Sequence, residues 1–298
     1  MKLAAIDIGS NAARLLITEV TVSNNGKPVF NKLNLVRVPL RLGFDVFERG
    51  EISPVKVTMI MDTMQAFKHF MKIYSVTHLK ACATSAMRDA VNAADIIKKV
   101  KQETGIDIKI ISGDDEASFI YENHIAENLD KEHSYLYIDV GGGSTELTFF
   151  ADGKLRYKES FNIGTIRLLK NMVTDAHWDE MRDHIKTNTK SKFPVIAIGS
   201  GGNINKIFSI SKKKEGKPLP LELLKDYYKE LSSVSLDERI NIYKLREDRA
   251  DVIVPALQIY INVMRWADIS EIYVPKIGLA DGLIQNLYEE INREAVIG

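Results

Sequence analysis

The chain has 298 residues, a length that predicts two domains at roughly 100–200 residues each, and its 40 basic and 40 acidic side chains cancel to a formal charge of zero. Its 45% hydrophobic and 27% charged residues mark an ordinary globular protein and exclude collagen-like, disordered and disulfide-scaffold classes. Binding to DNA through bulk charge is excluded as well, because it rests on an excess of Lys and Arg that releases counterions; any polyanion must be held locally. Cys82 is the single cysteine, which leaves no intramolecular disulfide and points to a reducing compartment, the cytoplasm. Asp7 interrupts the N-terminal apolar run too early for a signal peptide, and no apolar stretch approaches the 18 or so residues of a membrane span. No membrane partner is expected.

Along the chain, Lys2 to Ile8, Arg14 to Val22 and Val29 to Leu40 read as an antiparallel meander, turned at Gly9-Ser10-Asn11 and Asn24-Asn25-Gly26. Ser53-Pro54 opens a helix whose apolar residues, Val57 to Met71, recur at helical spacing. His78 to Ala83 is a short strand, Asn92 to Thr104 a helix capped by Asn92 and stopped by Gly105, Asp107 to Ile111 a strand, and a further helix starts at Asp114 or Asp115. The second half restarts the plan. Tyr135 to Val140, Glu146 to Phe150 and Leu155 to Phe161 read as strands, and helical patterns run from Thr165 and Ala176. Pro194 to Ile198 is a buried strand ending in Gly199-Ser200-Gly201-Gly202. From Leu219 the pattern is mainly helical, with a short strand at Ile272 to Val274 and a last helix after Asp281; Lys212 to Lys217 is a solvated loop.

A repeat carries most of the information. D-I-G-S-N-A-A-R-L at 7–15 returns as D-V-G-G-G-S-T-E-L at 139–147, each copy between two apolar strands. Two copies of one supersecondary unit predict two domains of similar core with a ligand cleft between them. A tight glycine turn presents a nest of backbone N–H groups to phosphate oxygens; taken singly, each turn reads as an ordinary hairpin rather than a phosphate site, and the two together reverse that reading because a hairpin does not call for the repeated Asp. Asp139 and Glu146, on adjacent strands, are spaced to hold a hydrated Mg²⁺ against phosphate, and Arg14 occupies the position of Glu146 in the first copy. Ala83 to Arg88 reads either as an anion site at a helix start or as a plain cap. Gly113 to Ala117 reads as an ordinary acidic helix start, and Gly199 to Asn203 as a phosphate loop or a structural turn. The six histidines lack metalloprotease spacing, and neither G-x-S-x-G nor G-x-x-x-x-G-K-S/T occurs, so zinc protease, serine hydrolase and P-loop chemistries lack their signatures. Cys82 reads as a small buried residue rather than a nucleophile.

I-D-I-G-S-N at 6–11, A-T-S-A-M-R at 83–88, I-S-G-D-D-E-A at 111–117, I-D-V-G-G-G-S-T-E-L at 138–147 and G-L-A-D-G-L at 278–283 together resemble the exopolyphosphatase and guanosine pentaphosphate phosphatase family, Ppx/GppA. The resemblance implies the α/β two-domain fold of actin, hexokinase and Hsp70 (ribonuclease H-like): a mixed five-stranded sheet in each domain, residues 1–124 and 125–283, an interdomain cleft, and a final helix at about 284–298 packing back on the first. It implies a cytoplasmic hydrolase that removes the terminal phosphate of inorganic polyphosphate or guanosine pentaphosphate with Mg²⁺ or Mn²⁺, and it admits a homodimer. By the same resemblance Glu116 matches the catalytic glutamate that orients water, and Asp139 and Glu146 match the metal acids. Ser10, Asn11, Arg14, Arg88, Gly141, Gly142, Gly143, Ser144 and Thr145 match phosphate-contacting positions, and Gly201 and Gly202 join them as loop candidates. Ala12, Asp115, Ser200 and Asn203 depart from the family pattern. The chain also ends without the extra helical domain of longer relatives, so processive digestion of very long polyphosphate is not implied. Two other readings remain open: a kinase of the same fold, and a sensor that binds polyphosphate or guanosine alarmones without hydrolysis.

Overall fold

The computed structural model describes residues 1–122, 132–275 and 278–297. Its contacts separate into two compact units, Met1–Asn123 with Leu279–Gly298, and His124–Gly278. The boundary expected at 124/125 lies outside the described residues.

In the first unit β1 (Lys2–Ile8), β2 (Ala13–Val22) and β3 (Pro28–Val38) form the expected meander. There follow α1 (Leu42–Arg49), α2 (Pro54–Ile73), β4 (His78–Ala83), α3 (Ser85–Asp89), α4 (Ala93–Thr104), β5 (Ile108–Ile110) and α5 (Gly113–Glu122). The sheet order is β3-β2-β1-β4-β5, with β1, β4 and β5 parallel. As the central strand, β1 is buried on both faces, which is why its sequence is a continuous apolar run rather than an alternating one. Ser53 and Asn92 stand at their helix starts, but neither caps through its side chain. The Asn92 amide instead exchanges two hydrogen bonds with the Ile52 backbone, 3.0 and 2.8 Å, so a long-range partner replaces the local one. Ser112 and Asp115 do cap α5: the Asp115 N–H donates to Ser112 Oγ (3.0 Å) and Ser112 N–H and Oγ–H donate to Asp115 Oδ2, a reciprocal capping box.

The second unit contains β6 (Ser134–Val140), β7 (Thr145–Ala151), β8 (Lys154–Phe161), α6 (Thr165–Leu169), α7 (Asp175–Asn188), β9 (Val195–Ser200) and α8 (Gly202–Ile210). It continues with β10 (Leu219–Pro220), α9 (Leu221–Ser233), α10 (Leu236–Tyr243), α11 (Glu247–Ala250), α12 (Ile253–Trp266) and β11 (Glu271–Tyr273). Its sheet has six strands, β10-β11-β9-β6-β7-β8, rather than the expected five. The addition is the two-residue β10, antiparallel to β11; Leu219 is fully buried there, and Pro220, lacking an N–H, is tolerated on an edge. Without β10 the order and directions repeat those of the first sheet. The irregularities repeat as well: the register between the second and third strands of each meander shifts after Ile17 and after Phe149, at equivalent distances from Asp7 and Asp139, with Leu33 of β3 and Arg156 of β8 as the extra residues. Nine of the fourteen residues of α12 are buried, so this helix forms the centre of the second core.

A last helix, α13 (Leu279–Ile297), belongs to the first unit. Leu279, Ala280, Leu283, Ile284 and Leu287 bury against Leu3, Ala5 and Leu16, while Asp281 pairs with Lys32 at 2.5 Å. A Cβ on Gly282 would stand 1.8 Å from the Phe119 carbonyl oxygen, so α13 and α5 meet backbone to backbone. That contact accounts for the second glycine of G-L-A-D-G-L. Gly282→Ala is therefore expected to cost about 3 kcal/mol, the upper end for overpacking, read as a lowered denaturation midpoint.

Candidate active site

The repeated element forms the same object in both units. Asp7 stands opposite Arg14 on β1 and β2, and Asp139 opposite Glu146 on β6 and β7. The turns close alike, by Gly9 N–H to the Ala12 carbonyl at 3.0 Å and Gly141 N–H to the Ser144 carbonyl at 2.9 Å. Each is then clamped by the helix that follows its meander. Gly43 N–H and Arg41 N–H, at the start of α1, donate to the carbonyls of Ser10 and Asn11, both 2.8 Å. Thr165 and Ile166 of α6 donate to those of Gly141 and Gly142, at 3.1 and 2.8 Å, and Arg167 Nε donates to that of Gly143 at 2.8 Å. The second turn thus spends its carbonyls on α6, whereas the amides of Gly142 and Gly143 meet no acceptor among the described residues. Amides left in this way on a glycine turn form an anion nest.

The clamp needs a glycine that the sequence analysis passed over. A Cβ on Gly164 would lie 2.4 Å from the Gly142 carbonyl oxygen. Gly164→Ala is expected to push α6 off the loop, lowering the thermal midpoint by the equivalent of about 1–3 kcal/mol and raising KM for any phosphate substrate. An unchanged midpoint and KM would show that the loop holds without this contact.

Charge separates the two copies. In the first, Arg14 Nη1 donates to Asp7 Oδ2 at 2.7 Å. In the second, two carboxylates face each other, with ligand oxygens within 4.8 Å. Glu146 is buried and accepts from Ser160 Oγ at 2.9 Å. Oxygen-only donors on paired strands fit a hard divalent cation such as Mg²⁺ or Mn²⁺.

Other expected site residues are placed as follows. Ser10 is buried with its hydroxyl on that of Ser85, 2.7 Å away, and Thr145 donates its hydroxyl to the Ile163 carbonyl at 2.6 Å; both hydroxyls are engaged inside the unit. Ser144 is buried. Arg88, in the five-residue α3, donates through Nη1 to the Ile111 carbonyl at 2.9 Å, tying α3 to the strand end that leads into α5. Glu116 lies in the first turn of α5, where the Ser112–Asp115 cap already serves the helix end. Gly201 is the N-cap of α8 and Gly202 its first residue. Cys82 is buried, and burial pushes its thiol up to about 11, as befits a core residue and not a nucleophile. Tyr260, unremarked in the sequence, lies under Ser200 and Gly201 from the middle of α12. Its only local signal is a hydroxyl on the otherwise apolar buried face of that helix.

Two mixed sheets with one shared strand order, each carrying an Asp-glycine turn, define the actin, hexokinase and Hsp70 class of fold. The chain belongs to the Ppx/GppA phosphatase family, which it matches over residues 20–291. It is similar to a bifunctional 3-dehydroquinate synthase/phosphatase of Fusobacterium nucleatum, 32% identical over 232 residues, which are 71% of this chain and 34% of that protein; the chain thus spans about a third of that relative's length. Exopolyphosphatase 1 of Mycobacterium bovis is 23% identical over 318 residues, covering 100% of this chain and 91% of the relative. The solved exopolyphosphatase of Cytophaga hutchinsonii superposes with a TM-score of 0.82 at 24% identity, over 97% of this chain and 98% of that one.

Proposed function

We propose that the protein hydrolyses the terminal phosphoanhydride of inorganic polyphosphate or guanosine pentaphosphate. The observation that carries this reading is the Asp139–Glu146 pair beside a glycine turn whose carbonyls are clamped and whose amides stay available, in a chain of the Ppx/GppA family. Phosphoryl transfer asks for charge neutralisation, positioning and an oriented nucleophile. The amides of Gly142 and Gly143, with Gly201 and Gly202, take phosphate oxygens, and Arg14 and Arg88 add cationic contacts. Asp139 and Glu146 hold Mg²⁺ or Mn²⁺, which supplies neutralisation of the phosphate charge when bound. Glu116 orients the attacking water. As a carboxylate it also accepts the proton of that water, the capacity that Glu116→Gln removes.

The test is phosphate release, read with malachite green, from tripolyphosphate and from guanosine pentaphosphate, with and without Mg²⁺ and with no acceptor present. Metal-dependent release supports hydrolysis, and the ratio of the two rates identifies the substrate. Consumption of tripolyphosphate only when an acceptor alcohol is present, with the phosphoryl group recovered as an ester of that alcohol and no free phosphate, would favour the kinase reading. Tight binding with no release would favour the sensor.

A further inference from the structure

The Asp139 carboxylate has a neighbour that the proposed chemistry leaves unused. β9 lies parallel to β6 with Ser200 in register with Asp139. The chain leaves β9 through Gly201, whose φ of 106° and ψ of 160° suit glycine alone. A Cβ built there would stand 3.0 Å from Asp139 Oδ1 and 3.2 Å from the Val140 carbonyl oxygen, so the Gly201 backbone is the wall on which the Asp139 carboxylate rests. Beneath that wall is Tyr260. Its ring is fully buried in the core and its hydroxyl donates to the Ser200 carbonyl; the hydroxyl oxygen lies 3.7 Å from the Cβ position of Gly201. A buried hydroxyl must find an acceptor, and this one has found the carbonyl of the residue paired with Asp139.

We infer that Tyr260, acting through the Ser200 carbonyl and the Gly201 backbone, is the positioning residue that sets the Asp139 carboxylate for a divalent cation. The inference rests on the proposed role of Asp139 as a metal acid. Groups that stand behind a ligand typically change metal affinity by about 10–100-fold when removed. Burial, together with the nearby Asp139 and Glu146 carboxylates, raises the Tyr260 phenol well above its ordinary value. The hydroxyl therefore stays a donor at any working pH.

The experiment is a calorimetric titration of the full chain with Mn²⁺ in the absence of substrate, comparing wild type with Tyr260→Phe, Asp139→Asn and Val263→Ala. Val263 is a buried residue of the same helix, and its truncation controls for lost stability. Tyr260→Phe is expected to raise the Mn²⁺ Kd at least about tenfold, whereas Val263→Ala lowers the melting temperature and leaves the Kd unchanged. An unchanged Kd in Tyr260→Phe, with Asp139→Asn unable to bind, overturns the inference and leaves the metal assignment standing. A wild type that binds no Mn²⁺, or an Asp139→Asn variant that binds normally, overturns the metal assignment and the inference with it. Should Tyr260→Phe not fold, Tyr260→Met decides, because it also removes the hydroxyl while its flexible side chain fills the space: a Kd raised at least about tenfold supports the inference and an unchanged one overturns it.

Discussion

Glu116→Gln is expected to lower turnover at least about 100-fold while substrate binding and fold survive, since groups that handle the attacking water contribute about 100-fold to 10,000-fold. The substitution keeps shape and hydrogen-bonding capacity and removes the charge. The structural alternative is a carboxylate that serves only the helix end, worth about 0.3–1 kcal/mol. That service already falls to Ser112 and Asp115, whose reciprocal bonds close the first turn of α5. The two readings predict opposite patterns: a large loss of rate at constant melting temperature, or a small loss of stability at constant rate. A folded variant retaining more than about a tenth of wild-type turnover would remove Glu116 from the reaction.

The second large effect belongs to the carboxylate pair. Asp139→Asn and Glu146→Gln are each expected to abolish the Mg²⁺ dependence of turnover, with a loss beyond the ~10–100-fold typical of residues behind the ligands. Stability supplies an independent sign. Like charges placed opposite each other on paired strands repel, so each variant should melt no lower than wild type without metal. Wild type, by contrast, should gain about 2.7 kcal/mol at a Mg²⁺ concentration one hundred times its Kd, and both variants should lose that gain. If Mg²⁺ stabilised the variants as it stabilises wild type, the cation would bind elsewhere.

Much of this was legible in the sequence because the same element is written twice. The Asp-to-Leu repeat announced two similar sheets, and the structure extends the equivalence to strand order and bulge position. The pairing of Asp7 with Arg14 and of Asp139 with Glu146 also followed from strand spacing. Contacts between distant segments were not legible. Gly164 matters because of Gly142, Gly282 because of Phe119, and Tyr260 because of Ser200, and no local pattern joins these pairs. α1 escaped for a related reason. Its eight residues begin after Arg41 in a left-handed conformation with no side-chain cap, so it carries no start signal, and its task of holding the Ser10 and Asn11 carbonyls appears only in three dimensions. β10 is two residues long and exists because β11 offers an edge.

The most direct measurement is turnover of tripolyphosphate in ¹⁸O-labelled water with Mg²⁺ and no other acceptor, followed by mass spectrometry of the released phosphate. Hydrolysis forms one bond between water oxygen and the terminal phosphorus and breaks the bridging bond, so each phosphate set free from the chain end should carry one ¹⁸O atom. Release of phosphate without label, or no release from either tripolyphosphate or guanosine pentaphosphate, would contradict the account.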